Sequence, residues 1–118
     1  MTCRIGINGL GRVGRMVLRR TMTLPDVEVV AVNDRARLGD LAYLLKYDSV
    51  HGLFPGEVTD DGQSLLVHGA AIQFSSETEP AKIPWGQAGV DFMLCVHSGE
   101  WNLYRQSWDR VEWKVWTD

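Results

Sequence analysis

The chain has 118 residues, 45% of them hydrophobic, and a formal net charge of −3. That length fits one domain, which should bury roughly two-thirds of the surface its unfolded form exposes. The slightly acidic balance excludes the basic footprint of a nucleic-acid binder. No apolar run is long enough to span a bilayer, and the N-terminus lacks the charged region and apolar core of a secretion signal. Neither nucleic acid nor membrane is therefore an expected partner, and the expected location is the cytoplasm.

Residues 3 to 8 read as a buried parallel strand, short, apolar and bounded by glycine. The run Gly9-Leu10-Gly11-Arg12-Val13-Gly14 follows at once, and a helical pattern follows it. Strand, Gly-x-Gly-x-x-Gly and helix, in that order, form a site for a dinucleotide pyrophosphate. Gly9 allows the tight turn out of the strand, Gly11 lets the backbone approach the phosphates, and Gly14 lets the helix pack closely on its strand. The opening of the helix offers N–H groups and the positive end of its dipole to an anion. Val13, Met16 and Val17 share one helical face. Arg15, Arg19 and Arg20 lie off that stripe or at its edge, as a solvated cationic face or as a source of charge for a phosphate.

Residues 27 to 32 form a second strand pattern, rich in β-branched residues and ending in Asn33-Asp34. Asp34 lies about 20 residues past the last glycine, where the fingerprint expects an acid on the adenosine ribose. A carboxylate there repels a 2′-phosphate, which favours NAD over NADP, although Arg35 and Arg37 follow directly. Leu38, Leu41, Ala42 and Leu45 mark a second amphipathic helix. His51 reads as a hydrogen-bonded loop residue rather than a base, since no second strong catalytic group accompanies it.

Residues 64–68 and 70–74 read as short strands with a turn at Gly69, the second joining the sheet edge and His68 at the hairpin surface. Residues 77–89 are polar and contain prolines, so a loop with a short helical turn over 81–83 is expected, followed by a buried strand over 90–96. Cys3 and Cys95, the two cysteines, both fall in strand-like apolar stretches and read as inert core residues. No Cys/His spacing suggests a metal site.

The pieces Ile5–Arg15, Val30–Asp34, Leu44–Gly52, Glu79-Pro80-Ala81, Ile83-Pro84-Trp85-Gly86 and Gly89-Val90-Asp91, in this order, resemble the start of phosphorylating glyceraldehyde-3-phosphate dehydrogenase over roughly residues 1 to 95. The resemblance implies an incomplete Rossmann-type α/β fold, a parallel sheet with flanking helices and the first strand beside the fourth. It implies NAD as cofactor, with backbone at Arg12 and Val13 meeting the pyrophosphate and Asp34 on the ribose. The full-length family is a homotetramer that oxidises an aldehyde through a cysteine nucleophile and a histidine base. Thr78 departs from the family, which usually has arginine near the adenine.

After residue 96 the chain reads His97-Ser98-Gly99-Glu100-Trp101 and the resemblance ends. Cys3, Cys95, His51 and His97 match neither the nucleophile nor the base, so no catalytic residue is carried over. The expected organisation is a partial NAD(P)-binding Rossmann domain over 1–96 and a Trp-rich tail over 97–118. Four of the five tryptophans lie in that tail, which sets it apart in composition. Tyr104, Trp108, Val111 and Val115 fit a helical face, yet residues 111–115 alternate like a strand, and periodicity leaves both open. The function expected is NAD binding by a dehydrogenase fragment; a non-catalytic interaction module using the aromatic end, or a truncated or frameshifted product, is the alternative.

Overall fold

The computed structural model describes residues 2–48, 52–53, 56–79, 82–97, 100–106 and 113–115. The first βαβ unit is as expected: β1 (Cys3–Asn8), α1 (Arg12–Thr21) and β2 (Val27–Asn33). Then come α2 (Leu38–Lys46), the two-residue strands β3 (Tyr47–Asp48) and β4 (Gly52–Leu53), and a meander of β5 (Val58–Asp60), β6 (Ser64–Val67) and β7 (Ala70–Ser75). The chain crosses back through α3 (Trp85–Ala88) to β8 (Phe92–His97), β9 (Glu100–Gln106) and β10 (Trp113–Val115).

The main sheet runs β10-β9-β8-β1-β2-β7-β6-β5. Its centre is parallel: β1 pairs with β2 and β8, and β2 pairs with β7. The first strand thus stands beside the strand that opens the second half of a Rossmann order, and the chain reverses direction across the sheet at β1. This is an incomplete Rossmann-type α/β fold. Both edges are antiparallel, made by β5–β6 on one side and β8–β9–β10 on the other. Residues 100–105 therefore run antiparallel along the open side of β8 in six paired positions. In the Trp-rich end, the described positions follow the strand alternative; Trp108 and Val111 lie outside the described residues.

Two apolar clusters cover the sheet. One joins Leu18 of α1 and Leu38, Leu41, Ala42 and Leu45 of α2 to Ile7, Val32 and the meander residues Val58, Leu65, Val67 and Ile72. The α2 stripe is the one its spacing predicts. The other cluster packs Ile83, Trp85 and Ala88 against Val30, Ala31 and Met93. Trp85 packs against Gly6, where a Cβ would come within 2.6 Å of the indole ring. Before it, the Lys82 N–H donates to the Glu79 carbonyl (3.0 Å); of the helical turn expected over 81–83, residue 81 lies outside the described residues.

Helix α1 meets its strand at Gly14, as the glycine motif predicts, and its apolar stripe of Val13, Met16 and Val17 is the less buried face. Gly14, Leu18 and Thr21 are its buried positions, while Val13 and Val17 are half-buried and Met16 is 46% exposed. Gly14 sits hard against the Gly9 carbonyl and Ile7, and that contact turns the i, i+4, i+7 line through Gly14 onto the strand. Val13, Met16 and Val17 instead line an apolar groove of about 300 Å³ with Ile5, Leu94 and Leu103.

Arg19 is no solvated cation. Its guanidinium donates to the carbonyls of Leu45 (2.9 Å) and Gly52 (2.7 Å), tying the end of α1 to the ends of α2 and the β4 turn. Leu45 itself is fully buried. Leu45→Ala should cost about 2–5 kcal/mol by denaturant unfolding. A loss under about 1 kcal/mol would mean that the α2 face is not packed as described.

Candidate functional site

The site is built where β1 ends. Asn8 pairs with Asn33 of β2 on one side and with Cys95 of β8 on the other, so the carboxyl ends of three parallel strands meet there. Gly9 turns the chain with φ +104°, a value that side chains rarely adopt, and its N–H donates to the Asn33 carbonyl at 2.8 Å. A Cβ on Gly9 would stand 2.7 Å from the Val96 carbonyl oxygen, so the turn runs tight against the end of β8. A Cβ on Gly11 would meet nothing within 4 Å. The first glycine is therefore needed by the fold, whereas nothing among the described residues presses on the second, which leaves space beside it for a ligand.

Gly11 is the N-cap of α1, in extended conformation and without a side-chain cap. The first helical bond is Arg15 N–H to the Gly11 carbonyl (2.9 Å), so the amides of Arg12 and Val13 precede the hydrogen-bonded ladder. Both residues are at the surface, Arg12 exposed and Val13 half-buried. No acidic side chain stands in the first turn to compete for an anion.

Asp34 follows the last residue of β2 and is half-buried. One carboxylate oxygen accepts the Leu10 N–H at 2.7 Å, the other the Ala36 N–H at 2.9 Å. The acid and the glycine turn are thus in direct contact across 24 residues of sequence. Arg35 and Arg37 are exposed beyond it.

A row of polar groups under the site has no counterpart in the sequence reading. Asn33 is 3% exposed. Its amide donates to Asn8 Oδ1 (3.0 Å) and to the Glu77 carbonyl (3.1 Å). Its oxygen accepts from Ser75 Oγ–H (2.7 Å) and from the Glu77 N–H (2.9 Å). All four hydrogen-bonding positions of one buried amide are filled. Asn8 Nδ2 continues the row to Cys95 Sγ at 3.6 Å, so the row joins the ends of β8, β1, β2 and β7. The available signal was an asparagine at the end of each of two apolar strands, where apolar patterning predicts none.

The remaining singled-out residues lie elsewhere. Cys3 is at the opposite end of β1; burial and then the Asp91 carboxylate push its thiol above the ordinary range, which keeps it protonated and unreactive. His68 occupies the exposed β6–β7 turn at the other end of β7, with φ +53°. Thr78 is exposed, one residue past Glu77. His51 lies outside the described residues. Among the described residues, no group of three His, Cys, Asp or Glu could hold a metal ion, and no helix is long and apolar enough to cross a membrane.

A Gly-x-Gly-x-x-Gly turn between two parallel strands, in contact with an acid at the end of the next strand, defines a dinucleotide-binding domain. A family model described as glyceraldehyde 3-phosphate dehydrogenase, NAD binding domain, matches residues 3–102. The chain belongs to that family, and NAD is accordingly its cofactor. It is 50% identical over 94 residues to glyceraldehyde-3-phosphate dehydrogenase 1 of Bacillus subtilis (strain 168), a match covering 80% of this chain and 28% of the relative. It is 50% identical over 95 residues to the glyceraldehyde-3-phosphate dehydrogenase of Debaryomyces hansenii and 48% identical over 95 to that of Ogataea parapolymorpha, with the same coverages. The chain thus spans about 28% of the length of these relatives.

Proposed function

We propose that this chain binds the adenosine diphosphate half of NAD in the crevice at the carboxyl ends of β1, β2 and β8. Gly9, Gly11, Arg12, Val13 and Gly14 form the pyrophosphate turn, with the amides of Arg12 and Val13 as donors, and Asp34 accepts from the ribose hydroxyls. The observation that carries this reading is the open space beside Gly11 in a turn whose neighbouring residue, Leu10, touches Asp34. The site fits the cofactor: the carboxylate uses one lone pair on each oxygen internally, which leaves one on each for a hydroxyl. Asp34 also disfavours a 2′-phosphate by charge, so NAD is preferred over NADP. Thr78 leaves the adenine side without the family's cation.

NAD, when bound beside a complete catalytic domain, accepts a hydride; the residues here bind and orient its adenosine end. The whole protein's activity is proposed to be oxidative phosphorylation of glyceraldehyde 3-phosphate in glycolysis, by a cytoplasmic homotetramer. No residue of these 118 matches the family's nucleophile or base, so the chain by itself should be inactive. Calorimetry on the purified chain should give similar, weak affinities for NAD and ADP-ribose, and no NADH should form from glyceraldehyde 3-phosphate. A strong requirement for the nicotinamide, or measurable NADH, would overturn this reading.

A further inference from the structure

Ribose recognition leaves unexplained why Asp34 is already committed to the turn. Leu10 stands between Gly9 and Gly11, and its side chain is 1% exposed, so its backbone is held from one side by the core. From the other side two successive amides are tied to the end of β2. The Gly9 N–H goes to the Asn33 carbonyl, a bond that any residue at position 33 can accept. The Leu10 N–H goes to the Asp34 side chain, and only an acceptor of the right reach can replace that. The second carboxylate oxygen is held by the Ala36 N–H, which fixes the rotation of the group. Asp34 is therefore braced at one oxygen and bears the turn at the other.

We propose that Asp34 is a strut for the glycine turn, a positioning residue for the pyrophosphate as well as a partner of the ribose, so that removing it does not convert the site to 2′-phosphate recognition. The inference rests on the nucleotide-binding reading above. A ribose-only role makes a different forecast. Taking away the carboxylate would lift its repulsion of a 2′-phosphate and leave Arg35 and Arg37, both exposed, to attract one. With the strut in place as described, the same change releases the Leu10 amide, and every ligand carrying a pyrophosphate is weakened, whatever its ribose bears. The two roles coexist, because a carboxylate has about four lone-pair positions and the two backbone amides occupy two.

Three ligands separate the roles: ADP, 2′,3′-dideoxy-ADP, which has no hydroxyls for Asp34 to hold, and ADP carrying a 2′-phosphate. Each is titrated by calorimetry into the 118-residue chain, its Asp34→Ala variant and its Asp34→Asn variant. The wild-type chain should prefer ADP to dideoxy-ADP. In Asp34→Ala, dideoxy-ADP should weaken by at least about tenfold, the loss expected for one charge-assisted hydrogen bond. ADP with the 2′-phosphate should gain nothing in that variant. Asp34→Asn keeps an acceptor for Leu10 and should recover most of the dideoxy-ADP affinity while ADP stays weakened.

Dideoxy-ADP binding unchanged in Asp34→Ala, or a gain for the 2′-phosphate ligand, overturns the strut. A wild-type chain indifferent to the ribose hydroxyls removes the ribose reading instead. The strut is then judged on hydrogen exchange of the Leu10 amide, whose protection should fall in Asp34→Ala; unaltered protection there sinks it. The same exchange measurement decides the matter if the alanine variant folds but binds no nucleotide.

Discussion

Alanine at Gly9 should unfold much of the protein, whereas alanine at Gly11 should leave it folded and weaken nucleotide binding. The two glycines are two residues apart and belong to one motif, yet their surroundings differ. Gly9 has φ +104°, a conformation that costs a residue with a Cβ about 1–3 kcal/mol. The added methyl would also be forced to 2.7 Å from the Val96 carbonyl oxygen, a backbone atom that can move only with β8, and overpacking of that kind costs about another 1–3 kcal/mol. The sum is a large part of the 5–15 kcal/mol that holds a typical domain together.

Gly11 has φ −78°, an ordinary value, and open space in front of it, so alanine there should change stability by no more than about 0.5 kcal/mol. Its methyl group would occupy the place proposed for the pyrophosphate, and ADP affinity should fall by at least about tenfold, or 1.4 kcal/mol. Urea unfolding and ADP titration of both variants test the contrast. A Gly11→Ala chain that binds ADP as well as the parent would mean that the phosphates pass elsewhere.

The order of elements and the position of the turn could be read from the chain because local signals agreed. An apolar strand, three glycines, a helical pattern, a second β-branched strand and an acid all specify one βαβ unit. The stripe of α2 was readable for the same reason, since helix α2 buries Leu38, Leu41, Ala42 and Leu45 and little else decides its orientation.

Helix α1 was readable through its motif, which sets Gly14 against the strand, but not through its spacing, because hydrophobic periodicity assigns the face with the most apolar side chains. The face that is buried is the one with the smallest residue, Gly14, whose lack of a side chain lets strand and helix meet. Periodicity has no term for close approach. Arg19 escaped for a related reason: its partners are backbone carbonyls at Leu45 and Gly52, which no side-chain pattern marks. The asparagine row needed the sheet order itself, since Asn8, Asn33, Ser75 and Cys95 become neighbours only when β7, β2, β1 and β8 stand side by side.

That row supports the second large effect. Asn33→Leu keeps the number and branching of the side-chain heavy atoms, in a somewhat larger volume, and removes every polar atom from the side chain. Four groups lose their partner at once: Asn8 Oδ1, the Glu77 carbonyl, the Glu77 N–H and the Ser75 hydroxyl. A buried group left unsatisfied costs about 1–3 kcal/mol, but these four are only partly buried and water can reach some of them. The net loss should be about 3–5 kcal/mol, which puts it among the severe single substitutions. Ser75→Ala removes one bond of the four and should cost about 1 kcal/mol, the usual worth of a single hydrogen bond. The two variants form a graded pair in which the asparagine must greatly exceed the serine. Equal, small losses by denaturant unfolding would mean that the row is solvated and that the strand ends are held by their backbone ladders alone. A large loss at Asn33 and a small one at Ser75 would identify the amide as the point where β1, β2 and the segment after β7 are joined beneath the nucleotide site.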